Sequence, residues 1–125
     1  MTNKNKKILL VEDDDFLVDI YTTKLYQAGF TVDVAKDGEQ ALSKIKEEKP
    51  DLVLLDIVLP KIDGWQVLKK IKTDPKTKDV KVVVLSNLSE KEVLEKLKDV
   101  SFDKYLLKAS HTPSQLLREI EDFFK

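Results

Sequence analysis

The chain has 125 residues, enough for one compact domain with a buried core, and 42% of them are hydrophobic. Its 22 basic and 23 acidic residues leave a net charge of -1, so it carries no basic footprint for nucleic acid. No apolar run approaches the ~20 residues of a membrane span, the start Met1-Thr2-Asn3-Lys4 leads into no signal-peptide core, and the absence of cysteine excludes disulfides; the expected location is cytoplasmic.

The first predicted strand, Ile8-Leu9-Leu10-Val11, runs into Glu12-Asp13. From Asp14 to Ala28, the residues Phe16, Leu17, Ile20 and Leu25 recur at helical spacing, and Gly29 stops the helix. Thr31 to Ala35 is a short strand. Asp37-Gly38-Glu39-Gln40 then caps a helix bearing Ala41, Leu42 and Ile45, and Pro50 clears the way to a third strand, Leu52-Val53-Leu54-Leu55, ending in Asp56. Asp63 and Gln66 have capping-box spacing for a helix with Val67, Leu68 and Ile71, which the polar stretch Thr73 to Asp79 follows. Val82-Val83-Val84-Leu85 runs into Ser86. Ser89 and Glu92 open a shorter helix through Val93, Leu94 and Leu97. Tyr105-Leu106-Leu107 runs into Lys108, and Thr112-Pro113 starts a last helix whose inner face is Leu116, Leu117, Ile120 and Phe123.

This strict strand–helix alternation predicts an α/β fold: a doubly wound, five-stranded parallel sheet with five helices on its two faces, a single domain over residues 1–125. The Ile8, Leu52 and Val82 runs are uninterrupted, as strands covered on both faces should be. Thr31-Val32-Asp33-Val34 alternates and Phe102-Asp103-Lys104-Tyr105 admits charge, so strands two and five are read as edges. With right-handed crossovers the order becomes 2-1-3-4-5. In open α/β sheets the ligand crevice lies at the carboxyl ends of the strands, where the connections reverse direction. That edge would collect Glu12, Asp13, Asp56, Ser86 and Lys108. Two unit charges ~4 Å apart repel by about 4 kcal/mol at an effective dielectric of about 20. Clustered carboxylates therefore require a proton or a hard cation, and carboxylate and carbonyl oxygens suit Mg²⁺. Asp14 and Asp15 have a plainer explanation as helix caps, since a helix N-terminus favours negative charge.

Taken in order and at their spacings, Leu10-Val11-Glu12-Asp13-Asp14, Lys49 to Asp56, Pro60 with Asp63-Gly64, Leu85-Ser86 and Tyr105-Leu106-Leu107-Lys108 make the chain resemble the receiver domain of two-component response regulators over essentially its full length. The resemblance implies a flavodoxin-like fold close to that of the chemotaxis receiver. It implies that Asp56 accepts a phosphoryl group from a sensor histidine kinase or phosphotransfer protein. It implies Mg²⁺ held by Asp13, Asp56 and the Val58 carbonyl, with Glu12 acting through water. Lys108 would pair with a phosphoryl oxygen and Ser86 would donate to another, and Tyr105 would be either the switch aromatic that turns inward or a half-buried edge-strand ring. The output would go to a protein target through the fourth helix, fifth strand and fifth helix, with no nucleic acid or membrane contact and a homodimer left open. The chain would take part in its own phosphotransfer and dephosphorylation without being an enzyme. Because it ends with the fifth helix at Phe124-Lys125, it would signal by protein contact, pass the group on in a phosphorelay, or be a fragment of a longer regulator.

Asn87 stands where the family usually has Ala or Gly, and Ala109 where it usually has Pro after the lysine. The Lys108–Ala109 peptide is expected to be trans, since a cis bond before Ala costs roughly 2.5–4 kcal/mol. These two departures support an alternative, a pseudo-receiver that keeps the fold as a binding module without phosphorylation. A metal-dependent phosphatase is disfavoured, because Val58 occupies the place of the acid/base aspartate. Val58 and Leu88 put apolar side chains beside the site. His111, the single histidine, is read as an exposed loop residue, and Trp65 as packing against the sheet edge.

Overall fold

The computed structural model describes residues 6–59, 63–98 and 100–124. Pro60, one of the residues that carry the family resemblance, lies outside them. The elements are β1 (Lys7–Val11), α1 (Asp15–Gln27), β2 (Thr31–Ala35), α2 (Gly38–Glu48), β3 (Leu52–Asp56), α3 (Gly64–Thr73), β4 (Lys81–Ser86), α4 (Glu90–Lys96), β5 (Lys104–Leu107) and α5 (Pro113–Phe123), with one 3-10 turn at Lys108–Ser110. The strands form one parallel sheet in the order β2-β1-β3-β4-β5. This is the flavodoxin-like order expected from the strand composition.

Alternation along the strands builds a core on each face of the sheet. Leu9, Val11, Val53, Leu55, Val82 and Val84 meet Ala41 and Ile45 of α2, Val67, Leu68 and Ile71 of α3, and Val93 of α4. Ile8, Leu10, Leu52, Leu54, Val83 and Leu85 meet Val18, Tyr21 and Leu25 of α1 and Leu116 and Ile120 of α5. Every residue of β3 is buried, whereas β2 and β5 are only partly covered, as edge strands must be.

Local chemistry sets the helix ends. Asp14 caps α1, its carboxylate accepting from the Phe16 and Leu17 N–H groups, while Asp15 sits in the first turn paired with Lys36. Asp37, Asp63 and Ser89 each accept the N–H three residues on, from Gln40, Gln66 and Glu92, at the starts of α2, α3 and α4. The full reciprocal capping box occurs at α5, between Thr112 and Gln115. At α3 Gln66 contributes its backbone N–H to the cap.

In α1 the helical spacing of Phe16, Leu17, Ile20 and Leu25 predicts a common inner face, but Phe16 is 72% exposed, and the buried stripe is Val18, Tyr21 and Leu25. The helix carries apolar residues around more than one face. Positions 18, 21 and 25 align at helical spacing, and position 16 lies two residues from that row, which is the opposite side of the helix. Leu17 and Ile20 are left half-buried.

Candidate functional site

The register carries the ends of β1, β3, β4 and β5 to one edge: Val11 pairs with Leu55, Asp56 with Leu85, and Ser86 with Leu107. Glu12, Asp56, Ser86 and Lys108 follow or end these strands, so their side chains share the crevice. One carboxylate oxygen from each of Glu12, Asp13 and Asp56 lies within 4.8 Å of the others. Glu12 and Asp56 are buried and Asp13 is exposed, which leaves the cluster open to solvent on one side.

Lys108 sits between the two buried acids. Its ammonium donates to Glu12 Oε1 at 2.7 Å and to Asp56 Oδ2 at 2.9 Å. The direct Lys108–Glu12 pair is a contact the sequence reading did not foresee. The remaining oxygens are also engaged: Glu12 Oε2 accepts the Asp14 N–H at 3.2 Å, and Asp56 Oδ1 accepts the Val58 N–H at 3.1 Å. Burial raises the Glu12 pKa above the ordinary glutamate value, with Lys108 pulling against it and the Asp56 charge adding to it. For Lys108, burial acts downward, but the Glu12 and Asp56 carboxylates outweigh it and hold the ammonium above the usual lysine value.

A close backbone approach shapes the loop after Asp56. Gly64 opens α3 against it, donating its N–H to the Ile57 carbonyl at 2.8 Å. A Cβ on Gly64 would lie 2.4 Å from Ile57 Cα and 2.6 Å from the Asp56 carbonyl oxygen, so only glycine fits there. Val58 projects from the loop, 64% exposed.

Ser86 is fully buried, and its Oγ accepts the Leu88 N–H at 3.0 Å. The carbonyl of the same Leu88 accepts from the Tyr105 hydroxyl. Leu88 thus joins the hydroxyl of β4 to the aromatic of β5, which is half-buried and packs against the core beneath α2, α3 and α4. Asn87 is exposed. No cis peptide occurs among the described residues, so the Lys108–Ala109 bond is trans, as expected.

One residue sits differently from its sequence expectation. His111 is half-buried instead of exposed, its Nδ1 lying 2.9 Å from the Leu107 carbonyl, because the 3-10 turn folds it back over the end of β5. Trp65 packs onto the core under α3, with the Lys96 ammonium 5.4 Å above its ring. Tyr21 was missed. Buried on α1 within the field of Lys108, Glu12 and Asp56, its hydroxyl has a pKa raised chiefly by burial. The available signal was its place on the Val18–Leu25 stripe.

The profile of the response regulator receiver domain family matches residues 8–121. The alkaline phosphatase synthesis transcriptional regulatory protein PhoP of Bacillus subtilis is 49% identical over 59 residues, 47% of this chain and 25% of that protein. The chain spans about a quarter of the length of the curated relatives it matches. Among solved structures, the phosphorylated cyanobacterial phytochrome response regulator RcpA superposes with a TM-score of 0.83 at 34% identity, over 95% of this chain and 93% of that one. The Mn²⁺-bound response regulator Rcp1 does so with a TM-score of 0.81 at 29% identity, over 94% and 93%.

Proposed function

The chain belongs to the response regulator receiver domain family of two-component systems, and we propose that Asp56 is its phosphoacceptor, charged by a histidine kinase or a phosphotransfer protein. The observation that carries this reading is Asp56 itself. It is a buried carboxylate at the crevice with an ammonium 2.9 Å from one oxygen and a backbone N–H 3.1 Å from the other.

In the proposed reaction an Asp56 oxygen attacks the phosphorus of a phosphohistidine. The new O–P bond forms as the P–N bond breaks, and the imidazole keeps the electron pair and takes up a proton. Three negative oxygens on the moving group need counter-charge at the moment of transfer. Lys108 is positioned to supply one positive charge as a point donor. Ser86, whose Oγ now accepts from Leu88, keeps a hydroxyl proton to give to a phosphoryl oxygen. That new bond would draw on Leu88 and, through the Leu88 carbonyl, on Tyr105, linking the site to β5.

The donor set fits a hard divalent cation. Three carboxylate oxygens within 4.8 Å of one another, one of them on an exposed side chain, match the oxygen-only ligation and easy entry that Mg²⁺ needs. Asp13 and Asp56 would hold the ion with the Val58 carbonyl, and Glu12 would act through water. When bound it would supply Lewis-acid neutralisation of the transferring oxygens. The Mn²⁺-bound relative supports this assignment by similarity. The downstream target is proposed to be a protein that reads α4, β5 and α5, and the expectation of no nucleic acid concerns this surface alone. On this reading the chain participates in its own modification and acts on no separate substrate.

The test is intact mass after incubation with acetyl phosphate. Wild type is expected to gain one phosphoryl mass with Mg²⁺ and not with chelator, and Asp56→Asn is expected to gain none. An unmodified wild type would point to a phosphorylation-independent binding module, and a modified Asp56→Asn to another acceptor.

A further inference from the structure

Between β5 and α5 the chain turns once, at Lys108–Ser110, and the way this turn is held sets where Lys108 points. Its backbone closure is long, His111 N–H to the Lys108 carbonyl at 3.3 Å, and no side chain caps its start. Side chains from its far end brace it instead. The Leu107 carbonyl lies 2.9 Å from His111 Nδ1 and accepts from Ser110 Oγ at 3.3 Å. A carbonyl oxygen can only accept, so Nδ1 must carry a proton, in the neutral Nδ1–H tautomer or the imidazolium. The carbonyl so clamped belongs to the peptide that leads directly into Lys108. Fixing that peptide plane fixes the direction in which the lysine side chain leaves the backbone.

The ring is also seated. His111, Lys108 and Ala109 form one wall of a groove of about 380 Å³ whose other wall is Leu17, Ile20 and Tyr21 of α1. The far end of Lys108 reaches Glu12 and Asp56, and its side chain is 12% exposed. A flexible four-carbon stem thus runs from a braced base to a defined target.

We infer that His111 is a positioning residue for phosphoryl transfer: its Nδ1–H on the Leu107 carbonyl locks the turn that aims the Lys108 ammonium at Asp56. The inference rests on the phosphoacceptor reading of Asp56 given above. A histidine that only filled the loop would be replaceable by another ring. A histidine that acts through its donor is replaceable by asparagine, whose amide nitrogen can stand near the Nδ1 position.

The experiment compares wild type, His111→Phe and His111→Asn as full chains, reading the initial rate of phosphorylation by acetyl phosphate with Mg²⁺. His111→Phe keeps a ring without the donor and is expected to be slower by up to about a hundredfold, the scale of a catalytic group misplaced by roughly 1 Å. His111→Asn should stay close to wild type. Mg²⁺ affinity by calorimetry should not fall in His111→Phe, since His111 touches none of the three carboxylates and a displaced Lys108 takes a competing positive charge away from Glu12 and Asp56. Nitrogen-15 NMR of wild type should find the proton on Nδ1. Wild-type speed in His111→Phe, an asparagine variant as slow as the phenylalanine one, joint loss of rate and Mg²⁺ affinity, or a proton on Nε2 alone would each overturn the inference. Should His111→Phe not fold, the tautomer and the asparagine variant decide. A wild type that takes up no phosphoryl group overturns the Asp56 reading together with this one, whereas a reactive wild type beside an equally reactive His111→Phe overturns this one alone.

Discussion

Lys108 places one positive charge between two buried carboxylates, and its removal should expose what that charge compensates. Lys108→Met leaves Glu12 and Asp56 facing each other without a cation. Breaking a buried pair from one side costs about 3–5 kcal/mol. The sign of the pH dependence follows from Glu12, whose folded pKa is raised above its ordinary 4.5. A raised carboxyl binds its proton more tightly folded than unfolded, so its stabilising contribution is present below the ordinary value and is lost as pH rises through the folded one. Without Lys108 the folded value rises further. Thermal melts with chelator present should therefore show a large deficit near neutral pH that shrinks at about pH 5. An equal deficit at both pH values would refute the account. A second residue-scale prediction concerns the lifetime of the acyl phosphate. Val58, 64% exposed beside Asp56, and the half-buried Leu88 offer no polar side-chain atom to orient an attacking water. Decay after donor removal should be slow in wild type and faster in Val58→Asn/Leu88→Glu, by an order of magnitude or more if water positioning limits it. Equal decay would remove the apolar pair from control of hydrolysis.

The N-terminus of α3 lies directly against the backbone that follows β3. Gly64→Ala would drive a Cβ into three backbone atoms of residues 56 and 57, none of which can rotate away. The N-terminus of α3 must then back off and lose the Gly64–Ile57 hydrogen bond, at about 1–3 kcal/mol for overpacking. Since the same loop carries Val58, the variant should also bind Mg²⁺ more weakly; unchanged melting and unchanged metal affinity would show that the loop absorbs the methyl group. Helix existence and caps were legible in sequence because a cap is a local bargain between one side chain and an N–H three residues on, as at Asp14, Asp37 and Ser89. The inner face of α1 was not. Its apolar residues span more than one side, and the packing of the sheet selects Val18, Tyr21 and Leu25 over Phe16.

At the scale of the whole domain, folding itself gathers the acids: Asp56 lies 44 positions from Glu12 and 43 from Asp13, and only the parallel sheet unites them. A cation that binds this assembled site and not the unfolded chain must stabilise the fold by mass action, about 2.7 kcal/mol at a hundred times its Kd. The melting temperature of wild type should rise with Mg²⁺ concentration, and Asp13→Asn should flatten that dependence. A melting temperature indifferent to Mg²⁺ in wild type would remove the ion from the site.

The sequence by itself determined the alternation of elements, the strand order and the strand ends that carry Asp56, Ser86 and Lys108. These follow from short-range patterns: uninterrupted apolar runs for central strands, charge admitted at the edges, and a polar residue where each run stops. Tertiary structure alone decided which partners those side chains take. Lys108 divides itself between Asp56 and Glu12, Leu88 joins Ser86 to Tyr105, and His111 folds back onto Leu107. Such pairings depend on distances of a few ångströms between elements far apart in the chain. Periodicity selects the face on which a side chain lies, but packing against the neighbouring strand end selects the atom it meets.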